Sequence, residues 1–204
     1  MKKQRDNYTF LTHAPVHRVI VSMAVPTIIS MLVTSIYGMV DTYYVGQINT
    51  QSTGAVGISF SIMTIIQAIG FFFGHGSGNY ISRMLGAKRT DEAKYMAATG
   101  LVGSVAFGLA VAVVGLAFLS DICIFLGSTE TILPYTERYL GIILVGAPFM
   151  TGAFTLNNQM RFQGNAKYAM YGILSGVVLN VVLAPILILS LIHISEPTRL
   201  RCIS

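Results

Sequence analysis

Apolar residues run through this chain in long unbroken stretches rather than in alternation with polar ones. Marking every Asp, Glu, Lys and Arg leaves five charge-free gaps, at 19–40, 42–82, 95–120, 139–160 and 168–195. A helix needs about 20 mostly apolar residues to cross a bilayer. Every gap is long enough, and 42–82 is too long for one crossing. Inside it, Gly46-Gln47-Ile48-Asn49-Thr50-Gln51-Ser52-Thr53-Gly54 is polar and bounded by glycine, which predicts a loop. The pattern predicts an all-α membrane protein with five transmembrane helices, at about 17–44, 55–82, 93–119, 133–160 and 167–190. Helices of a soluble protein would show a polar face, and these do not. Residues 1–16 form an N-terminal segment ahead of the first span. Met1-Lys2-Lys3 has the outline of a signal peptide, but the apolar run starts only near Val19, is too long and lacks a small-residue cleavage site. The first span is therefore read as uncleaved.

Composition sharpens this picture. Of 204 residues, 53% are apolar and 10% charged, with a mean hydropathy of +0.67. A soluble domain carries roughly 25% charged residues, so a water-soluble globule is excluded, as is a disordered chain. Two cysteines, Cys123 and Cys202, make no disulfide scaffold. The net charge of +5 gains meaning from its placement. Ten of the thirteen Lys and Arg precede span 1 or lie between spans 2 and 3 or spans 4 and 5, while only Arg138 lies on the other side. Arg199 and Arg201 are in the tail. Positive residues concentrate in cytoplasmic loops, which places the N-terminus in the cytoplasm and explains the charge without nucleic acid.

The tail is of a different kind. Leu189-Ser190-Leu191-Ile192-His193-Ile194-Ser195-Glu196-Pro197-Thr198-Arg199 back-translates to the transposon-end adapter of sequencing libraries. Residues 189–204 are thus expected to be an adapter translation and 17–188 a transmembrane N-terminal piece of a longer protein. Such scars are set aside in fold reasoning, and His193 and Cys202 carry no functional weight. Cys123, near the outer end of span 3, reads as a small apolar filler.

Polar residues inside the spans are the candidate chemistry. Seven of the eight acids are expected in loops or tails, and Asp41 alone inside a span. A carboxylate within a bilayer costs about 2.5–3.5 kcal/mol on insertion scales, which makes Asp41 a candidate proton or cation site. An interfacial acid reaching water is the equal alternative. Tyr37 lies one turn earlier on the same face. Pro26 removes a helix hydrogen bond and is a candidate hinge or packing kink. Gly172, Gly176, Asn180 and Ala184 form one stripe fit for close helix contact. Asn180 then serves either an interhelical hydrogen bond or a cation. Asn157, Asn158 and Gln159 line a cavity or approach the inner interface. Gly70, Gly74 and Gly78 form a second small-residue stripe. His75 reads as a hydrogen-bonded packing histidine rather than a titrating group. No dinucleotide loop, serine elbow, paired intramembrane acids or His-Glu-x-x-His motif is present, so enzyme classes that need them are excluded.

Four segments resemble the multidrug and toxic compound extrusion (MATE) family of secondary transporters. They are the early Pro26 with Asp41-Thr42-x-x-Val45-Gly46, then Gly76-x-Gly78-x-x-x-Ser82-Arg83-x-Leu85-Gly86-Ala87, then Arg161-Phe162-Gln163-Gly164-Asn165, and Leu179-Asn180-Val181-Val182-Leu183-Ala184-Pro185. The resemblance covers about 12–188, and Ser82-Arg83-Met84-Leu85-Gly86-Ala87-Lys88 looks closest to the MepA-like branch. It implies two six-helix halves related by a pseudo-twofold axis, of which this chain supplies most of the first. It also implies that Asp41 couples cation flow, with Tyr37 and Asn180 near it, and that Pro26 is the bend of the first helix. Where the family commonly has Asp, this chain has Ala184, so Asp41 lacks an acidic partner in this half. Sodium wants several hard oxygen ligands, and coupling to protons is favoured over sodium. The expected function is antiport of cationic or amphipathic drugs across the plasma membrane, without cofactor or metal and together with the C-terminal half. The alternatives are a lipid-linked oligosaccharide flippase of the same superfamily, against which stands the lack of Lys or Arg inside the spans, and a non-transporting membrane interaction module.

Overall fold

The computed structural model describes residues 10, 13–46, 50–179 and 181, the side chains of 41, 44 and 45 excepted. Among them there is no strand. Helix α1 runs Val16–Gly46, α2 Thr50–Gly86, α3 Thr90–Ala117, α4 Leu119–Phe125, α5 Leu133–Phe162 and α6 Ala166–Leu179. Four are long and apolar enough to cross a membrane, in the stretches Val16–Val40, Thr50–Gly86, Thr90–Ala117 and Leu133–Phe162, and α6 is a shorter apolar helix. The protein is thus a multi-pass helical membrane protein. With no water to satisfy amides in hydrocarbon, the chain must bond its backbone internally, and helices do so.

The first four predicted spans fall on α1, α2, α3 and α5, while the fifth, at 167–190, is described only as the shorter α6 up to Leu179; three further differences appear. The loop expected at 46–54 is shorter, because α2 already begins at Thr50. At 37 residues and 1.5 Å each, α2 is about 55 Å long. It outruns the roughly 30 Å hydrocarbon layer, so its polar first turn extends beyond it. The end of the third span becomes a separate short helix, α4, after a break at Phe118 (φ −114°, ψ 31°). The acids assigned to loops prove helical in part. Asp91 and Glu92 lie in the first turn of α3, Asp121 in that of α4, and Glu137 near the start of α5. Helix N-termini favour negative charge, and at these ends the carboxylates reach water. Asn180, Ala184 and the tail at 189–204 lie outside the described residues.

The core is a three-helix arrangement of α2, α3 and α5, with α4 resting on α5 and α1 touching α2 only lightly. Glycine permits the close approach. A Cβ on Gly74 would stand 2.8 Å from Asn158 Cβ and 3.3 Å from Thr155 Cα, so α2 and α5 meet almost backbone to backbone there, as the Gly70-Gly74-Gly78 stripe predicts. Toward the far end, Ile66, Ala112 and Ala147 form one buried cluster. Cys123, Leu140 and Leu144 form another. Cys123 is fully buried, which agrees with its reading as a filler. Burial pushes its thiol pKa up, and the Glu137 carboxylate adds to the shift.

Candidate transport site

Helix α1 carries Pro26, the expected hinge, and Asp41. Pro26 is buried within it and the helix continues through. Proline supplies no N–H, so one carbonyl on the preceding turn loses its partner. Hydroxyls cluster around this gap. Thr27 Oγ1 donates to the Met23 carbonyl at 2.9 Å, Ser30 Oγ to that of Pro26 at 2.7 Å, and Thr34 Oγ1 to that of Ser30 at 2.8 Å. Such back-bonding satisfies the hydroxyl locally and tends to bend a helix. Asp41 sits in α1 five residues before its end, and half-buried Tyr37 lies one turn earlier. The spacing puts both on one face. Asn180, expected beside them, is outside the described residues.

Helix α5 carries the second polar feature. Thr151, Thr155, Asn158 and Gln159 are all buried. Thr151 Oγ1 donates to the Ser104 carbonyl of α3 at 2.9 Å, and Thr155 Oγ1 to the Gly70 carbonyl of α2 at 3.2 Å. Gln159 Nε2 donates to Ser77 Oγ on α2 at 2.9 Å and to the Ala97 carbonyl on α3 at 3.1 Å. The Gln159 amide therefore ties three helices together. Asn157, also expected at a cavity, is half-buried and donates from Nδ2 to the Ala169 carbonyl of α6 at 3.0 Å. Asn157 and Gln159 sit in the last turns of α5, and the hydrogen bonds that engage their amides run to α2, α3 and α6.

Sequence reasoning missed Thr151 and Thr155. Their signal was present, because Ala147, Thr151, Thr155 and Gln159 recur every four residues and so share one face. His75 behaves as a hydrogen-bonded packing residue, though an exposed one. Its Nδ1 meets the Phe71 carbonyl at 2.9 Å, so that nitrogen carries the proton, and its ring meets Phe71 and Phe162 edge-on at 5.5 and 5.6 Å. The stripe at Gly172 and Gly176 meets no described neighbour within 4 Å. Among the described residues no group of three or more His, Cys, Asp or Glu is placed to hold a metal.

Long apolar helices packed through glycine, the first of them bearing Pro26 and Asp41, define a multi-pass helical membrane protein. Comparison with known proteins gives the family. The MatE family model matches residues 26–186, and the chain belongs to the MATE family, whose members are transporters and not enzymes. The multidrug export protein MepA of Staphylococcus aureus (strain MRSA252) is 37% identical over 134 residues, which is 66% of this chain and 30% of that protein. A solved multidrug resistance MATE transporter of the MOP superfamily, in its outward-facing conformation, superposes with a TM-score of 0.80 at 28% identity over 85% of this chain and 38% of its own. A MOP superfamily transporter from Pyrococcus furiosus, described as having a binding pocket of reverse polarity that suggests a different function, matches with the same TM-score, identity and coverage. The chain spans about a third of the length of these relatives.

Proposed function

We propose that this chain is the first part of an exporter that expels cationic or amphipathic drugs in exchange for protons across the plasma membrane, with its N-terminus in the cytoplasm. The observation that carries the reading is Asp41, an acid within an apolar helix that also contains Pro26. Export of drugs is supported by the likeness to MepA, named a multidrug export protein. The orientation is supported by the charge bias. Arg18 at the start of α1, Lys88 and Arg89 in the 86–90 connection, and Arg83, Lys94, Arg161 and Lys167 flanking the 86–90 and 162–166 connections fall at one end, and Arg138 stands alone at the other. Protons are favoured over sodium because Ala184 withholds the second carboxylate a hard cation would use.

The mechanism follows from what a carboxyl can do. It takes up one proton and gives it back. If α1 bends at Pro26, Asp41 meets water from one side and then from the other. A ligand shifts an equilibrium only through differential affinity for its states, so the proton must favour one conformation and the drug the other. Tyr37, one turn earlier in the sequence of α1, is the proposed hydrogen-bond partner of the carboxyl.

Asp41→Asn in the full-length transporter tests this. The amide keeps size and hydrogen bonding but cannot titrate. In proteoliposomes, drug-driven pH change is expected to vanish while expression and folding persist. Export that keeps its dependence on the pH gradient in this variant would show that coupling lies elsewhere.

A further inference from the structure

The hydrogen bonds described above divide α5 at one residue. The ties to α2 and α3 leave from Thr151, Thr155 and Gln159, all of them after Pro148, which lies inside the helix. Before the proline the packing on α2 and α3 is apolar. Ala147 clusters with Ile66 of α2 and Ala112 of α3, and Ile62 of α2 and Val111 of α3 lie against the cluster of Leu140 and Leu144. A hydrogen bond is directed and holds its partners in register, whereas apolar contact is non-directional and lets surfaces slide. Pro148 also offers no N–H to the Leu144 carbonyl, so the ladder of α5 lacks a bond at this point.

A second interruption lies between α3 and α4. The ladder of α3 ends with the Phe118 amide on the Val114 carbonyl at 3.1 Å and resumes with the Ile122 amide on the Phe118 carbonyl at 2.9 Å. Between the two breaks the chain is bonded to itself. Ser120 Oγ of α4 donates to the Glu137 carboxylate of α5, and Ser128 Oγ meets Thr136 Oγ1 at 3.1 Å. Cys123 of α4 is buried in one cluster with Leu140 and Leu144. Helix α4 and the first half of α5 thus hold together as one unit, 119–147. The structure also supplies a fulcrum. A Cβ on Gly108 would stand 2.8 Å from Pro148 Cα, so α3 meets α5 backbone to backbone at the proline itself, where a pivot displaces its neighbour least.

We propose that 119–147 swings as one rigid unit against α2 and α3, bending at Pro148 and Phe118 while the ties beyond the proline stay closed. The motion reshapes the end of the bundle that carries Arg138, opposite the basic connections. Leu133 stands 15 residues before Pro148, a lever of about 22 Å at 1.5 Å per residue. A change of about 20° in the bend moves the far end by about 8 Å. The proposal needs neither Asp41 nor the identity of the exported compound, and it concerns a different helix from Pro26.

The test is pulsed dipolar EPR on the full-length transporter in lipid nanodiscs, without drug. Spin labels are placed at four exposed positions: Phe60 of α2, Val102 of α3, Phe125 of α4 and Ile142 in the first half of α5. The Phe125–Val102 and Ile142–Val102 distances are expected to spread over about 8 Å. The Phe60–Val102 distance, with both labels outside the unit, is expected to be markedly narrower. Pro148→Ala restores the missing N–H and is expected to narrow the first two distributions and leave the third unchanged. Wild-type distributions all equally narrow would overturn the proposal, and this comparison stands even if the variant fails to fold. Equal narrowing of all three by Pro148→Ala, or of none, would overturn it as well. A broad Phe125 pair beside a narrow Ile142 pair would make α4 mobile by itself and refute the rigid unit.

Discussion

Replacing Gln159 by leucine isolates the tie between α2, α3 and α5. The two side chains are similar in volume, so no cavity opens. What is lost is two hydrogen bonds, of 2.9 Å to Ser77 Oγ and 3.1 Å to the Ala97 carbonyl. Neither partner is stranded. Ser77 Oγ still donates to the Phe73 carbonyl at 2.6 Å, and the Ala97 carbonyl keeps its place in the backbone ladder of α3. Side-chain hydrogen bonds between membrane helices average about 0.6 kcal/mol each, so Gln159→Leu is expected to cost about 1 kcal/mol. Gln159→Glu is a sharper perturbation of the same shape. A carboxylate has no donor for either oxygen, and a buried group set against two acceptors costs about 3 kcal/mol or more. Reversible denaturant unfolding of the full-length transporter in bicelles separates the two, and drug export by the leucine variant is expected to persist. A leucine variant as unstable as the glutamate one would refute the bookkeeping. A stable leucine variant that no longer exports would refute the tie itself and return Gln159 to a substrate cavity.

Two other outcomes follow from the same structure. Alkylation requires the thiolate, and the folded-state pKa of Cys123 is raised by burial and by Glu137. Maleimide labelling of Cys123 in native membranes at neutral pH is therefore expected to be slow and to rise sharply on denaturation; fast labelling of the folded protein would show that α4 does not seal it. Reporter fusions after Arg89 and after Gln51 are expected to read cytoplasmic and external respectively, and the reverse would overturn the orientation.

The spans were legible because a bilayer demands length and apolarity, and both are written directly in the order of residues. Ends were less so. Thr50 to Thr53 are polar and invite a loop, but beyond the hydrocarbon a helix tolerates polar side chains, and α2 keeps its ladder through them. Helix α4 escaped notice because seven residues interrupted by Asp121 make no recognisable apolar run. The glycine stripe of α2 pointed correctly to a close neighbour, but not to which one. The stripe of α5 was harder. Asn157, Asn158 and Gln159 are consecutive and so point some 100° apart, and only the packed bundle shows that the first meets α6 while the third reaches α2 and α3. Asp41 stood out as an anomaly of composition, whereas its partners depend on how distant helices assemble, which no local pattern encodes.

The hydroxyl ladder of α1 has a mechanical consequence. Thr27, Ser30 and Thr34 each spend their proton on a carbonyl of their own helix, so this face makes little polar demand on whatever lies beside it. Helices α2, α3 and α5, by contrast, are stitched to one another through side-chain amides and hydroxyls. Moving any of these three relative to the others means breaking directed bonds, whereas the bonds of Thr27, Ser30 and Thr34 travel with α1 wherever it goes. The stitching thus makes one stiff frame of α2, α3 and α5, and the hydroxyls along α1 place no claim on it.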